Sequence, residues 1–262
     1  MYAFEYQRAK SVADAAAALT KSGGKALAGG QSLVGAMKLR LANPGTIVDL
    51  SGIAELKGIK KEGDSIVVGA LTTHAEVASS PIVNQAIPAL ATLAEGIGDR
   101  QVRNRGTLGG SIANNDPAAD YPAAVLGLGA TVQTNKRKIS ADDFFKGMYE
   151  TALADDEIIT AVSFPIPKKA AYMKFPQPAS RFALVGVFVA QTGGGVRVAV
   201  TGAASHVHRA SAIESALSKS FTPDAAKAVK IPADHLNSDI HASAAYRAHL
   251  VSVMASRAVA AT

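Results

Sequence analysis

The sequence of 262 residues contains no cysteine. Disulfides, cysteine-ligated zinc and cysteine-held iron–sulfur clusters are therefore excluded within this chain. If the protein takes part in redox chemistry, its redox centre must be a bound organic cofactor, and any iron–sulfur cluster must belong to a partner.

Long apolar runs are absent as well. No segment approaches the roughly 20 apolar residues that a helix needs to cross a bilayer. The first residues, Met1–Tyr6, have neither the basic region nor the apolar region of a signal peptide. We therefore expect a cytoplasmic protein without a transmembrane segment.

Aromatic residues are scarce, at 5%, and they do not alternate with basic residues as binding of single-stranded nucleic acid requires. The net charge is +6, but the basic residues lie in small scattered groups such as Lys60-Lys61 and Lys168-Lys169. Solvated loops explain most of these charges, and an anionic cofactor is the next explanation. The 48% of hydrophobic residues are enough to bury a core.

Familiar catalytic patterns are missing too. The sequence has no HExxH metal motif, no GxSxG nucleophile elbow, no P-loop and no GxGxxG fingerprint. His206 and His208 are spaced to share one face of a strand, although a surface turn is the favoured interpretation. We expect no metal site and no catalytic side chain in this chain.

Two glycine turns are the most informative features that are present. They are Ala28-Gly29-Gly30-Gln31-Ser32-Leu33 and Thr107-Leu108-Gly109-Gly110-Ser111. Because glycine has no Cβ, the backbone N–H groups of such a turn can approach a phosphate closely. Two turns far apart in sequence could bind one diphosphate from two sides, which indicates a dinucleotide cofactor.

Polar residues surround the second turn, and their role allows two interpretations. Asn114, Asn115, Asp116 and Asp120 follow it closely, as in a solvated loop with Asx turns or in a site that hydrogen-bonds a cofactor. The residues Asp99, Arg100, Arg103 and Arg105 precede it, and they could equally pair with a diphosphate or be surface charges. Tyr172 and Lys174 could close over a bound ring or be ordinary strand residues.

The periodicity predicts alternating helices and strands. Ser11 caps a helix that ends at Gly23-Gly24, and a strand, the first glycine turn, a helix and a buried strand at 46–50 form a βαβ unit. The rest of the sequence predicts, in chain order, strands at 57–60 and 65–70, a capped helix at 72–76, a long helix from Pro81 to Glu95, a loop from Gly96 to Asp120, a helix from Asp116-Pro117, strands at 130–134 and 157–164, a hairpin around Gly193–Gly195 and a last helix at 240–260.

Four blocks of sequence contain motifs of a known family. They are Ala28–Leu33 with Met37–Arg40 and Ile47–Asp49, Gln101–Asn114 with Asp116–Asp120, Pro178–Val187, and Ser243–Leu250. In this order they closely resemble the FAD-binding medium subunit of the molybdenum hydroxylases, the group of carbon monoxide dehydrogenase, aldehyde oxidoreductase and xanthine dehydrogenase. The similarity covers essentially the whole chain.

The resemblance implies an α+β fold. An FAD-binding domain of the vanillyl-alcohol-oxidase-like (PCMH) type would occupy residues 1–167, with a βαβ part at 1–55 and an antiparallel-sheet part at 56–167. A smaller C-terminal α+β domain with a three-stranded antiparallel sheet and helices would occupy residues 168–262.

The resemblance also implies roles for individual residues. Two segments would bind the diphosphate and ribityl chain of FAD: Leu27, Ala28, Gly29, Gly30, Gln31, Ser32 and Leu33, and Gly106, Thr107, Gly109, Gly110, Ser111, Ala113 and Asn114. Asp120 would hydrogen-bond along the cofactor, Ile97 and Ile159 would contact its flavin or adenine region, and Lys174 would lie near the flavin. Some relatives hold an extra cysteine-bound cluster in this subunit, which this chain lacks the ligands to form.

The implied function is electron transfer in a heterotrimer, or in a dimer of heterotrimers. A large subunit with molybdopterin would oxidise an aldehyde, carbon monoxide or an N-heterocycle, and a small subunit with two [2Fe–2S] clusters would pass electrons to the FAD of this chain. Two other functions stay open: a stand-alone FAD-dependent reductase of the same fold, for which the sequence offers no proton donor, and a non-catalytic nucleotide-binding scaffold.

Overall fold

The computed structural model describes residues 1–262, and its strands form four separate sheets. The first sheet has three parallel strands in the order β1-β3-β2. Its elements, in chain order, are β1 (Glu5–Arg8), helix α1 (Val12–Ser22), β2 (Lys25–Leu27), α2 (Leu33–Lys38) and β3 (Thr46–Asp49). The predicted unit of strand, glycine turn, helix and parallel strand is confirmed, whereas the edge strand β1 was not predicted.

Local sequence signals set the bounds of α1. The Ser11 hydroxyl accepts a hydrogen bond from the Asp14 N–H at the start of the helix, and Gly23 ends it in the left-handed conformation with a φ of 62°. Ala15, Ala18 and Leu19 are buried in a cluster shared with β3. The helix thus covers one face of the parallel sheet, and the glycine turn after β2 lies at the carboxyl edge of that sheet.

The second sheet is antiparallel, with five strands in the order β4-β5-β10-β6-β7. After a 3-10 turn at Ala54–Leu56, the strands of this part are β4 (Ile59–Glu62), β5 (Ser65–Gly69), β6 (Thr131–Thr134), β7 (Lys138–Ser140), the two-stranded sheet of β8 (Phe145–Gly147) and β9 (Glu150–Thr151), and β10 (Ile159–Pro165). Its helices are α3 (His74–Ser79), α4 (Pro81–Ala86), α5 (Pro88–Glu95), α6 (Arg100–Arg103), α7 (Leu108–Asn114), α8 (Tyr121–Leu128) and α9 (Ala141–Phe144).

The prediction of one long helix from Pro81 to Glu95 is wrong, because the helix is interrupted at Ile87. Pro88 has no N–H to donate, and its ring disfavours the helical conformation for the residue before it. Ile87 accordingly has a φ of −141° and a ψ of 69°, and a new helix starts at Pro88.

The segment Gly96–Asp120 is not the continuous loop that was predicted, since it contains α6 and α7. Thr107 caps α7 through its hydroxyl, and the sequence signal was hidden because glycines occupy the first turn of this helix. The next helix, α8, begins at Tyr121 with Pro122 in its first turn, and the prediction of a start at Asp116-Pro117 is also wrong.

The remaining chain forms a third sheet and three helices. The strands pair antiparallel in the order β11 (Lys169–Pro176), β12 (Ala183–Thr192), β13 (Gly195–Thr201) and β14 (His208–Arg209), and the helices are α10 (Ser211–Lys219), α11 (Pro223–Lys227) and α12 (Ala244–Ala260). The predicted hairpin is confirmed, and the expected three strands are joined by the two-residue strand β14. No helix of the fold has the length and apolar content to span a bilayer.

Both faces of β12 are buried, which ties the third sheet to the rest of the molecule. Phe188 belongs to the large apolar cluster around α5 and α8, whereas Val187 and Val189 pack in a second cluster with α12. Apolar contact of this kind holds adjoining parts in one arrangement. The division of the chain at residue 167 stays a prediction, since the large cluster includes residues on both sides of it.

Candidate functional site

The structure brings the two glycine turns into direct contact. An ideal Cβ on Gly29 would overlap the carbonyl oxygen of Arg105 and would lie 2.8 Å from the Cα of Gly106. A Cβ on Gly110 would lie 3.5 Å from the Cβ of Ala28. The absence of a side chain at Gly29 is therefore what lets the two backbones approach each other.

The first turn has a run of unused hydrogen-bond donors. None of the six consecutive N–H groups from Ala28 to Leu33 donates a hydrogen bond within the protein. Gly30 has a φ of 75°, and the Ser32 side chain makes no capping hydrogen bond. Successive N–H groups in a turn of this kind form a concave surface that binds anions, and phosphates in particular.

The second turn differs from the first, because its N–H groups already have partners. Leu108 donates to the carbonyl of Thr72 at 3.1 Å, Gly109 to that of Ala70 at 2.8 Å, and Gly110 to the Thr107 hydroxyl at 3.2 Å. The sequence argument expected both turns to offer backbone donors to a diphosphate. In the structure the second turn instead anchors α7 to β5 and the start of α3.

The side chains of α7 supply the polar groups that its backbone does not. Ser111 and Asn114 are half-buried, lie three residues apart on the helix, and have no hydrogen-bond partner for their hydroxyl and amide groups. They share a side of α7 with Gly110, which adjoins Ala28 of the first turn. Ala113, between them, is exposed. The unpartnered N–H groups and the unpartnered hydroxyl and amide thus belong to two adjoining segments, and we call the region between them the groove.

A buried carboxylate lies after α7. Asp120 is 4% exposed, and its Oδ1 accepts a hydrogen bond from the Tyr172 hydroxyl at 2.6 Å and lies 2.9 Å from the Lys174 Nζ. Burial raises the pKa of this carboxyl above its ordinary value, and the adjacent ammonium opposes that rise. Oδ2 makes no hydrogen bond within the protein, so it can accept one from a ligand hydroxyl.

Lys174 joins this carboxylate to two loops. Its Nζ also donates to the carbonyl of Gly96 at 2.9 Å and to that of Arg181 at 3.1 Å. Gly96 precedes the half-buried Ile97. Lys174 thus brings Asp120 together with the loop of Ile97.

Ile159 is buried in the large apolar cluster at the start of β10. The next residue, Thr160, accepts a hydrogen bond from Ala70, and Ala70 also contacts Gly109. The start of β10 therefore lies behind the second glycine turn.

The charged residues before the second turn have mainly local roles. Asp99 caps α6 by accepting from the Val102 N–H, and Arg103 donates to the carbonyls of Ile97 and Gly98 at 3.0 Å each. Arg100 and Arg105 are exposed. The segment could bind a diphosphate or could carry surface charges. The local hydrogen bonds of Asp99 and Arg103 favour the second interpretation for these two residues.

His74 is a buried neighbour of the site that sequence reasoning missed. Its ring is 4% exposed, and an ideal Cβ on Gly106 would lie 2.5 Å from its Nε2. Its Nδ1 and the hydroxyl of Tyr121 are both buried without a hydrogen-bond partner, and the two ring centroids are 5.3 Å apart. The only sequence signal was its position as the first residue of a helix capped by Thr73.

The environment of His74 predicts a pH dependence of stability. Burial, assisted by the charge of Arg103, lowers the pKa of this histidine from 6.5 to about 4. The unfolded chain therefore binds a proton near pH 6.5 while the folded chain does not, so stability falls from pH 6.5 to pH 4 and the loss is complete below pH 4. We expect the protonation of this histidine to lower the free energy of unfolding by roughly 3 kcal/mol over that pH range. Urea unfolding of the wild type and of His74→Gln at several pH values measures this loss. The same dependence of unfolding free energy on pH in both proteins would contradict the prediction.

A cavity of about 400 Å³ lies outside the groove, between the segment 116–118 and the third sheet. Its lining includes the buried Arg247, which donates to the carbonyls of Leu184 and Gly202 and pairs with Asp239 at 2.7 Å. These partners engage the two terminal nitrogens of the guanidinium, whereas its buried Nε has no hydrogen-bond partner. No residue of either glycine turn lines this cavity, so it is separate from them.

The chain is similar to known proteins over nearly its whole length. The family model described as the FAD binding domain in molybdopterin dehydrogenase matches residues 2–167. The chain belongs to this family. It is a flavin-binding oxidoreductase subunit of the molybdenum hydroxylase type, and the resemblance noted in the sequence is confirmed.

Full-length relatives support the same assignment. The FAD-binding chain is 37% identical to the carbon monoxide dehydrogenase medium chain of Hydrogenophaga pseudoflava and 37% identical to the nicotine 6-hydroxylase medium subunit of Paenarthrobacter nicotinovorans, covering 98% of this chain and 96% of each relative. It is also 37% identical to the glyceraldehyde dehydrogenase medium chain of Sulfolobus acidocaldarius, over 71% of this chain and 69% of the relative.

Solved structures confirm the predicted fold class. A chain of carbon monoxide dehydrogenase from Hydrogenophaga pseudoflava superposes with a TM-score of 0.89 at 38% identity, covering 99% of the FAD-binding chain and 97% of its own length. A chain of quinoline 2-oxidoreductase from Pseudomonas putida 86 gives the same TM-score at 30% identity, with 99% and 96% coverage. The residues of the groove fit FAD, because a diphosphate matches the unpartnered N–H run and the hydroxyls of the cofactor match Ser111, Asn114 and Asp120.

Proposed function

We propose that this chain is the electron-transfer subunit of a heterotrimeric molybdenum hydroxylase. It receives electrons from the [2Fe–2S] clusters of a small subunit and passes them to an external acceptor, while a large subunit with molybdopterin oxidises the substrate. That substrate is an aldehyde, carbon monoxide or an N-heterocycle, and the assembly is a dimer of heterotrimers. The full-length similarity to medium chains of such enzymes supports this role.

The observation that carries the proposal is the run of six N–H groups without a hydrogen-bond partner in a turn that adjoins the polar side of α7. The segment from Leu27 to Leu33 binds the FAD diphosphate, and Thr107 with its capped helix holds Ser111 and Asn114 against the ribityl chain. FAD, when bound, supplies both one-electron and two-electron redox steps. The protein binds and orients the cofactor and sets the charge around it, which agrees with the absence of an acid–base motif.

Asp120 and Lys174 set the electrostatics at the far end of this groove. The carboxylate is held by a cation and a phenol, so it is fixed in place with one oxygen free. Ile97 follows Gly96, whose carbonyl accepts from Lys174, and Ile159 is buried at the start of β10. We propose that Asp120 hydrogen-bonds along the cofactor, that Lys174 lies near the flavin, and that Ile97 and Ile159 contact the flavin or adenine region.

The first experiment is cofactor and partner analysis of the complex purified through this chain. FAD, iron–sulfur absorption and two co-eluting chains support the proposal. A lone chain that binds FAD and turns over a reductant would instead establish a stand-alone flavoenzyme. Folded chain that binds no added FAD would contradict any flavin function.

Ser111 and Asn114 offer a graded test of the groove. We expect Ser111→Ala and Asn114→Ala each to weaken FAD binding by roughly tenfold, because each removes one hydrogen bond to the cofactor. Titration of FAD fluorescence into the apoprotein measures the change. Ser215→Ala is the matched control, since its hydroxyl bonds to a carbonyl within α10 far along the chain. An unchanged dissociation constant for both groove variants would contradict the assignment of this helix side.

A further inference from the structure

The ring of His74, the backbone at Gly106 and the backbone at Gly29 pack in sequence against one another. The ring of His74 fills the space beside Gly106, where an added Cβ would lie 2.5 Å from Nε2 and 2.8 Å from Cδ2. Gly106, in turn, lies against Gly29, whose added Cβ would be 2.8 Å from the Gly106 Cα. No side chain separates the imidazole, the second glycine segment and the first.

The backbone of His74 is attached to the same place. Its N–H donates to the carbonyl of Gly106 at 3.0 Å, and the preceding residue, Thr73, forms a β-bridge with Thr107. Thr73 also forms a complete capping box with Glu76, which fixes the start of α3. His74 is therefore the first residue of a helix whose start is fixed by hydrogen bonds. Both its backbone N–H and its ring contact Gly106.

Packing, not hydrogen bonding, holds the ring in this position. Nδ1 has no hydrogen-bond partner, and on its other side the ring faces Tyr121, whose hydroxyl also has none. The imidazole therefore lies between Gly106 and the ring of Tyr121. Because interiors are packed closely, a change in the size of this ring must displace one neighbour or the other.

We propose that His74 is a positioning residue that sets the separation of the two glycine segments, and through it the shape of the FAD groove. The inference rests on the proposed FAD site. The imidazole does not touch the cofactor; it acts through Gly106 on the backbone around Gly29. Its size is matched to a glycine at position 106, so the two residues form a complementary pair.

A reciprocal change of size tests this pairing. Gly106→Ala adds a Cβ that collides with the imidazole, and His74→Ala removes the support of the turn, so each is expected to weaken FAD binding about tenfold or more. In the double variant the new methyl group enters the space that the ring has left. Gly106 has no positive φ, and its next neighbour, the Val102 carbonyl oxygen, lies at 3.1 Å, so alanine is accommodated after a small shift.

The readout is the FAD dissociation constant of the full apoprotein chain at pH 7.5, with the unfolding midpoint recorded in parallel. Binding by the double variant that is tighter than by either single variant supports the proposal, because a loss of stability alone would not be reversed in affinity. Independent effects, in which the two losses multiply, would overturn it. Gly35→Ala is the matched control, since a Cβ there meets nothing within 4 Å.

If His74→Ala does not fold, His74→Asn takes its place, because asparagine keeps a polar side chain while removing the outer part of the ring. FAD binding by the wild type distinguishes failure of the proposed function from failure of the proposed role of His74. A folded wild type that binds no FAD contradicts the proposed function, whereas normal binding by the wild type and by all the variants contradicts only the role of His74.

Discussion

Replacement of Gly29 with alanine is expected to reduce FAD affinity by about 100-fold or more, the loss of at least two hydrogen bonds to a charged diphosphate. The added methyl group would overlap the carbonyl of Arg105, which is backbone and has no rotamer to change. The two turns must therefore separate, and the N–H groups from Ala28 to Leu33 lose their common orientation. Equilibrium titration of the apoprotein with FAD measures the effect.

Two further variants make the result of Gly29→Ala interpretable. Gly35→Ala lies six residues later in open space and is expected to bind FAD like the wild type. Gly30→Ala places a side chain on a residue with a φ of 75° and is expected to have an intermediate effect, which keeps the test decisive if Gly29→Ala does not fold. Binding by Gly29→Ala within about threefold of the wild type would show that the contact between the turns is unimportant.

Removal of the Lys174 ammonium is expected to cause a large loss in the free energy of unfolding. Lys174→Met leaves the buried Asp120 carboxylate without its cation, and breaking a buried pair in this way costs about 3–5 kcal/mol of unfolding free energy at neutral pH. The side chains of Lys174 and Asp120 are 11% and 4% exposed, so solvent screens the pair little. Urea unfolding of the apoprotein at pH 7 measures the loss.

The pH dependence of this loss identifies its cause. Burial raises the Asp120 pKa above 3.8, and loss of the cation raises it further. Since protonation removes the buried charge, the loss is full above the pKa of Asp120 in the folded variant, shrinks as the pH falls through that pKa, and ends below the pKa of Asp120 in the folded wild type.

Two matched variants control for the change of side chain. The double variant Asp120→Asn, Lys174→Met is expected to regain much of the stability at pH 7. Lys169→Met, at the exposed start of the same strand, is expected to lose almost none. A loss for Lys174→Met that does not depend on pH would indicate packing and not charge.

The elements with strong local signals were predictable. α1 has a serine cap, an apolar face and a terminal glycine. The strand pair around Gly193–Gly195 has three consecutive glycines at its turn, which are a strong local signal for a hairpin. The errors occurred where tertiary contacts outweighed local propensity. The glycines of α7 are poor helix formers, yet the helix forms because Thr107 caps it and the carbonyls of Ala70 and Thr72, between β5 and α3, accept two of its first N–H groups.

The candidate site was predictable by residue type and only partly by geometry. The motifs identified the glycine turns, Asp120 and Lys174 before any contact was known. They did not indicate that the second turn uses its own N–H groups internally, nor that Tyr172 shares the Asp120 carboxylate. Those facts depend on residues distant in the chain, such as Ala70 and Tyr172, whose pairing leaves no local pattern.

By itself the sequence determined the family, the cofactor class and the absence of cysteine-held clusters, because motifs and composition are properties of the chain alone. The tertiary structure decided how the site is built: which N–H groups stay free, which carboxylate is buried beside a cation, and that a histidine ring fits against Gly106. The physical reason is that unsatisfied donors, burial and close packing depend on neighbours far apart in sequence, and only folding brings these together.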